Sequence, residues 1–211
     1  MPCAAGSLAR VVPVSDQQRP ALSTNQERIH RFDRLLAMFP PGRALDLGAG
    51  HGGFSVRAAD QGWQVTAVDA RAERYPDDDR IEWRVEDIRT TDCQGYDLII
   101  NLGLFYHLTL ADQLSLLDRS VGTAMILDTH VAVPGDAAFD LSEITTVDGY
   151  RGRLYSEQDK QHDPRSSFGN DDSFWPTQRE LQRMLHERGW DILPWRPYYL
   201  RTRTFFLCLP R

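Results

Sequence analysis

The sequence has no CxxC pair, no metal-finger spacing, no internal repeat and no apolar run approaching the length of a membrane span. Its three cysteines, Cys3, Cys93 and Cys208, are far apart and odd in number. That argues against a disulfide framework and fits a reducing cytosol, so the expected location is cytoplasmic. Residues 1–22 lack the continuous apolar core of a signal peptide and are read as a mobile N-terminal arm. Positive charge is also scarce: 24 Lys and Arg against 30 Asp and Glu give a net charge of -6. Sequence-independent nucleic-acid binding depends on neutralising phosphates, so a nucleic-acid partner is disfavoured. A homodimer is left open. What remains is an ordinary globular composition over 211 residues, enough to bury one full core. Residues 23–211 are therefore read as a single domain.

Periodicity supplies the elements. Thr24 and Glu27 have capping-box spacing, and Ile29, Phe32, Leu35, Leu36 and Phe39 follow at helical intervals. Strands are expected at 43–47, 63–68, 81–85, 96–100 and 124–127, with helices between them. Such alternation implies βαβ units and a mostly parallel sheet. Residues 131–175 break the pattern and are too long for a plain connection, which predicts a lid, a hairpin insertion or both. Thr177 and Glu180 open another helix, and two strands at about 190–195 and 203–209 form an antiparallel pair.

The chemistry concentrates at Asp46-Leu47-Gly48-Ala49-Gly50-His51-Gly52-Gly53. Glycines after a strand let the backbone turn sharply and approach a ligand. Gly48, Gly50 and Gly53 also fit GxGxxG, so a dinucleotide site competes. Three acids shift the balance. Asp46 precedes the first glycine, where a carboxylate suits a cationic amino group and opposes a pyrophosphate. Asp69 ends the second strand, placed to accept ribose hydroxyls. Asp87 follows the third, placed to accept from an adenine amino group.

This set resembles the class I S-adenosylmethionine-dependent methyltransferase family over residues 27–130. The resemblance implies a Rossmann-like α/β fold with a seven-stranded sheet, order 3-2-1-4-5-7-6, and helices on both faces. It implies S-adenosylmethionine as cofactor, held by Asp46, Gly48, Ala49, Gly50, Gly52, Asp69, Ala70, Asp87, Ile88, Asn101 and Arg31. The paired prolines that amino-directed DNA methyltransferases carry after the fourth strand are absent at Asn101-Leu102-Gly103. Leu104-Phe105-Tyr106-His107-Leu108 instead resembles a subgroup that includes sugar O-methyltransferases and enzymes of the tRNA wobble uridine. The leading expectation is O-methylation of a small acceptor, a mannoside-like saccharide. An RNA methyltransferase and a non-catalytic nucleotide-binding module are the alternatives.

Methyl transfer to a hydroxyl needs a base, worth roughly 10²–10⁴ in rate. His130, just past strand five, is the favoured candidate, oriented by Asp128; His107 is the second. Asp128, Asp140 and Glu143 could alternatively hold Mg2+ through hard oxygen ligands. Tyr155, Phe168, Trp175 and other late aromatics are candidates for a wall on which a sugar ring stacks. Arg196, Arg201 and Arg203 are expected on a solvated face.

Overall fold

A computed structural model describes residues 23–71, 75–158, 167–195 and 200–211. The expected arm at 1–22, with Cys3, and Arg196 of the expected basic cluster lie outside those residues. Helix α1 (Thr24–Leu36) is capped by Ser23, whose hydroxyl accepts from the Gln26 backbone while the Gln26 side chain accepts from the Ser23 backbone. The capping box is therefore one residue earlier than the Thr24/Glu27 spacing suggests. The chain continues through β1 (Arg43–Leu47), α2 (Gly53–Asp60), β2 (Gln64–Asp69), β3 (Ile81–Val85), β4 (Leu98–Leu102), α3 (Leu110–Arg119) and β5 (Ala124–His130). An antiparallel unit follows: β6 (Thr145–Val147), β7 (Tyr150–Ser156) and β8 (Asp172–Pro176). Helix α4 (Gln178–Glu187), β9 (Trp190–Pro194) and β10 (Arg203–Pro210) complete it.

The main sheet has the order β3-β2-β1-β4-β5-β10-β9. Strands β1 to β5 pair in parallel, and β10 runs antiparallel between β5 and β9. This is the expected seven-stranded arrangement. Strand alternation sends successive side chains to opposite faces. Ala44, Val65, Leu98, Ile100 and Ile126 meet Phe32, Leu35 and Leu36 of α1 and Ala58 of α2. Leu45, Leu47, Ile99, Met125 and Leu127 meet α3 and α4 on the other face. Two expected boundaries move: β4 lies two residues later than 96–100, and β5 runs on through His130, which pairs with Arg203.

The 131–175 segment builds the second sheet, β6-β7-β8. It is tied to the main body at two places. Phe174 N donates to Leu108 O at 2.9 Å, and the buried Gln113 Nε2 donates to Phe174 O at 2.5 Å and to Phe105 O at 3.0 Å. Ala132 N donates to Pro176 O at 2.9 Å. These bonds set the insertion beside the carboxyl ends of β4 and β5. In open α/β sheets, ligands bind outside the carboxyl ends where strand order reverses, here between β1 and β4.

Candidate active site

A cavity opens at that crevice, floored by the glycine loop and roofed by Ser167, Phe168 and Asn170 of the insertion. Gly48 and Ala49 fold back over β2, both donating to Val68 O at 2.8 and 3.0 Å. Gly48 has φ 68°, and a Cβ there would lie 2.9 Å from the Leu104 side chain. Gly52, with φ 67°, caps α2, and its Cβ would sit 2.4 Å from the Trp83 ring. The third constrained glycine is thus Gly52; Gly53, the GxGxxG match, is simply the first residue of α2 with open space around it.

Asp69 lines the cavity at the end of β2. Its Oδ2 accepts from Gly50 N at 2.9 Å and its Oδ1 from Arg71 N at 3.0 Å. Each carboxylate oxygen keeps a further lone pair for a ligand. Asp87 repeats the arrangement after β3: its Oδ1 accepts from Arg89 N at 3.0 Å, and the Arg89 guanidinium holds its carboxyl below the usual range against the upward push of burial. Ala70 and Ile88 line the same cavity. Asp46 does not. It lies buried beneath the loop, accepting from Ser55 Oγ at 2.5 Å, and burial pushes its carboxyl up to about 7.

Arg28 and Arg203 line the cavity and converge on Asp128, which is fully buried. Arg28 Nε donates to Oδ2 at 2.6 Å; Arg203 donates from Nε to Oδ1 and from Nη2 to Oδ2, both at 2.8 Å. His107, in the 3-10 turn Phe105–His107, also lines the cavity. Its Nδ1 lies 3.4 Å from the Glu157 carboxylate. Beside it Tyr106, His130, Phe139, Tyr155 and Trp175 form an aromatic cluster. His130 stacks on Trp175 at 4.6 Å between ring centroids, and Tyr106 meets His130 edge-on at 4.7 Å.

The family profile described as "Methyltransferase domain" matches residues 18–194. The chain belongs to this methyltransferase family. With the observed strand order, it is a class I S-adenosylmethionine-dependent methyltransferase. No curated protein sequence matches the chain. Solved structures do. The N-terminal domain of EvdMO1 with S-adenosylhomocysteine (SAH) bound is 22% identical, covers 88% of this chain and 81% of its own, and gives a TM-score of 0.70. The same domain in the presence of SAH and D-fucose covers 90% and 84% at the same identity and TM-score. The Burkholderia thailandensis 1,6-didemethyltoxoflavin-N1-methyltransferase, bound to 1,6-didemethyltoxoflavin and SAH, is 18% identical, covers 88% and 78%, and gives 0.57.

Several expected site residues of the methyltransferase fall elsewhere. Arg31 is buried against Glu27 and the Trp195 carbonyl; Arg28, one turn earlier, reaches the cavity instead. Ala49 and Gly52 shape the loop without lining the cavity, and Asn101 is fully buried on β4, its amide making no hydrogen bond among the described residues. Asp128 does not orient His130, because two arginines hold it; His130 Nδ1 meets Thr202 Oγ1 at 3.0 Å. Asp128, Asp140 and Glu143 are not gathered into a metal-holding group among the described residues, and the last two are exposed. Arg203 belongs to the buried cluster rather than to a solvated face. Sequence reasoning missed Arg28, Arg203 and Glu157. The first carries only the signal of a cation on an otherwise apolar helix face, and the other two are placed by tertiary contacts alone.

Proposed function

We propose that this methyltransferase transfers a methyl group from S-adenosylmethionine to a hydroxyl oxygen of a small saccharide, with His107 as the base. The observation that carries the reading is a histidine lining the cofactor cavity at its aromatic end, with a buried carboxylate behind its ring. Asp69 would take the ribose hydroxyls, and Asp87 with Ile88 the adenine. Backbone groups of Gly48 and Gly50 and the Arg28 guanidinium would hold the methionine end, where a carboxylate suits a cation.

When bound, the cofactor supplies an electrophilic sulfonium methyl, so the hard part of the chemistry comes with it. The protein must hold the acceptor oxygen in line and take its proton. His107 would take the acceptor proton on one ring nitrogen as the acceptor oxygen receives the methyl group that the cofactor would supply. Tyr106 lines the cavity beside His107 and offers an aromatic face for the apolar face of a sugar ring, with the buried Trp175 packed edge-on behind it. His130, enclosed by the same rings, belongs to that wall in this reading. D-fucose, a sugar, was present with the similar EvdMO1 domain.

Incubation with methyl-labelled S-adenosylmethionine and a panel of sugars, glycosides, amines and tRNA tests the reading. The expected product is a methyl ether on a saccharide oxygen, lost in His107→Asn. Label appearing only on nitrogen or in RNA overturns it.

A further inference from the structure

Glu157 stands one residue beyond β7, where the insertion turns away from its sheet. It is 1% exposed, and a carboxylate buried that deeply needs donors around it. It has them: His107 Nδ1 at 3.4 Å, Ser173 Oγ at 3.1 Å and Ser167 N at 3.4 Å. Burial acts to raise its pKa, yet the carboxyl is held below the usual range, chiefly by the hydrogen bond and charge of His107. Asn170 adds a second tie, donating through Nδ2 to His107 O at 3.2 Å.

An imidazole that gives its Nδ1 proton to a carboxylate is left with Nε2 as its only acceptor. We propose that Glu157 is a positioning residue that fixes His107 in the Nδ1–H tautomer, so that Nε2 receives the acceptor proton. This rests on the reading of His107 as the base. During transfer the acceptor O–H proton moves to Nε2, the imidazolium keeps its Nδ1 proton on Glu157, and the Nε2 proton passes to solvent after product leaves. The consequence concerns assembly. The carboxylate that sets the base comes from the same insertion that roofs the cavity through Ser167 and Phe168. The base is therefore set only when the insertion is seated over the site, which couples proton removal to exclusion of water.

The test begins with the SAH-bound wild type at a pH where imidazole is neutral. Long-range 15N–1H spectra, with His107 assigned by its loss in His107→Asn, read the tautomer without any acceptor. The expected pattern is protonated Nδ1 and bare Nε2. In Glu157→Gln, whose amide can donate as well as accept, the pattern shifts toward the Nε2–H form. With the acceptor found by the product screen, kcat falls roughly 10²–10⁴-fold, as for loss of a set base, while SAH affinity stays unchanged. Glu157→Asp restores the Nδ1–H pattern. A bare Nδ1 in the wild type overturns the proposal outright, even if the variants fail to fold. So does a Glu157→Gln protein with unaltered tautomer and kcat. Full activity in His107→Asn sinks the base reading instead, and leaves the tautomer result to be judged separately.

Discussion

Arg203 grips both oxygens of Asp128 at 2.8 Å each, from the strand that runs antiparallel to it. Arg203 faces His130 in the register and reaches diagonally along β5 to Asp128. Arg28 completes the group from α1, so three separate elements meet on one buried carboxylate. Burial alone would raise that carboxyl; Arg203 first and Arg28 second hold it below the usual range. Removing one partner of such a group leaves buried charge uncompensated, at a cost of about 3–5 kcal/mol. Asp128→Asn should lose stability on that scale in denaturant unfolding. An unchanged midpoint would show that the cluster contributes nothing net.

Gly103 controls how closely the two arginines approach. Its φ is 97°, and an added Cβ would lie 3.0 Å from one Arg28 nitrogen and 3.4 Å from one Arg203 nitrogen. Gly103→Ala combines backbone strain of about 1–3 kcal/mol with displacement of both guanidiniums. Lower melting temperature and weaker SAH binding are expected together, because both arginines line the cavity. A variant that is destabilised but binds SAH normally would separate the cluster from the cofactor.

Asp69→Asn keeps an oxygen for one backbone donor but removes the charge facing the cavity. Hydrogen bonds to charged groups are worth roughly 1.5–3 kcal/mol, so SAH affinity should drop about 10- to 100-fold by calorimetry. Equal affinity would move the ribose site elsewhere.

The fold was legible because it rests on local patterns. Strands β1, β2 and β3 lie within a residue of the expected ranges, and Thr177, expected to open α4, caps it through its side chain. The glycine loop and the acids after β2 and β3 were legible for the same reason, since each is fixed by its place after a strand. The end of the cavity that holds His107 was not. His107 and Glu157 are 50 residues apart in sequence, and only the seating of the insertion on the Phe105–Leu108 turn brings them together. Asp128 reads as a strand-end acid like Asp69, but β10, adding beside β5, supplies an arginine that claims it. The resemblance misled at Arg31: one turn of helix separates a side chain that donates to the Trp195 carbonyl from one that reaches the cavity.

His130 makes the fold sensitive to acid. Burial first, and the Arg203 charge second, push its imidazole down to about 3. The unfolded chain takes up a proton near pH 6.5, which the folded protein refuses until about pH 3. The stabilisation is complete above 6.5 and is lost as pH falls toward 3. His130→Phe preserves an aromatic face for Trp175 and removes the titration. Its unfolding free energy should decline less steeply than the wild type's between about pH 6.5 and 4. Parallel slopes would mean that His130 titrates alike in both states.

Asp46 has the opposite sign. Burial raises its carboxyl to about 7, the Asp69 charge adds to the rise, and the Ser55 hydroxyl and Arg28 work against it. Between 3.8 and about 7 the folded protein keeps a proton that the unfolded chain has released. Its contribution is full below 3.8 and is lost as pH rises to about 7. Above that, the fold carries a buried charge beneath the glycine loop. Asp46→Asn keeps an acceptor oxygen for Ser55 and cannot ionise. Each pKa unit corresponds to about 1.4 kcal/mol, so the rise from 3.8 to about 7 should leave the variant more stable than the wild type by roughly 4 kcal/mol at alkaline pH. The gap should close as pH falls toward 4, where the wild-type carboxyl is protonated in the fold. Denaturant unfolding of both proteins across that range measures it directly. A difference that stays constant with pH would show that Asp46 ionises in the fold as readily as in the open chain.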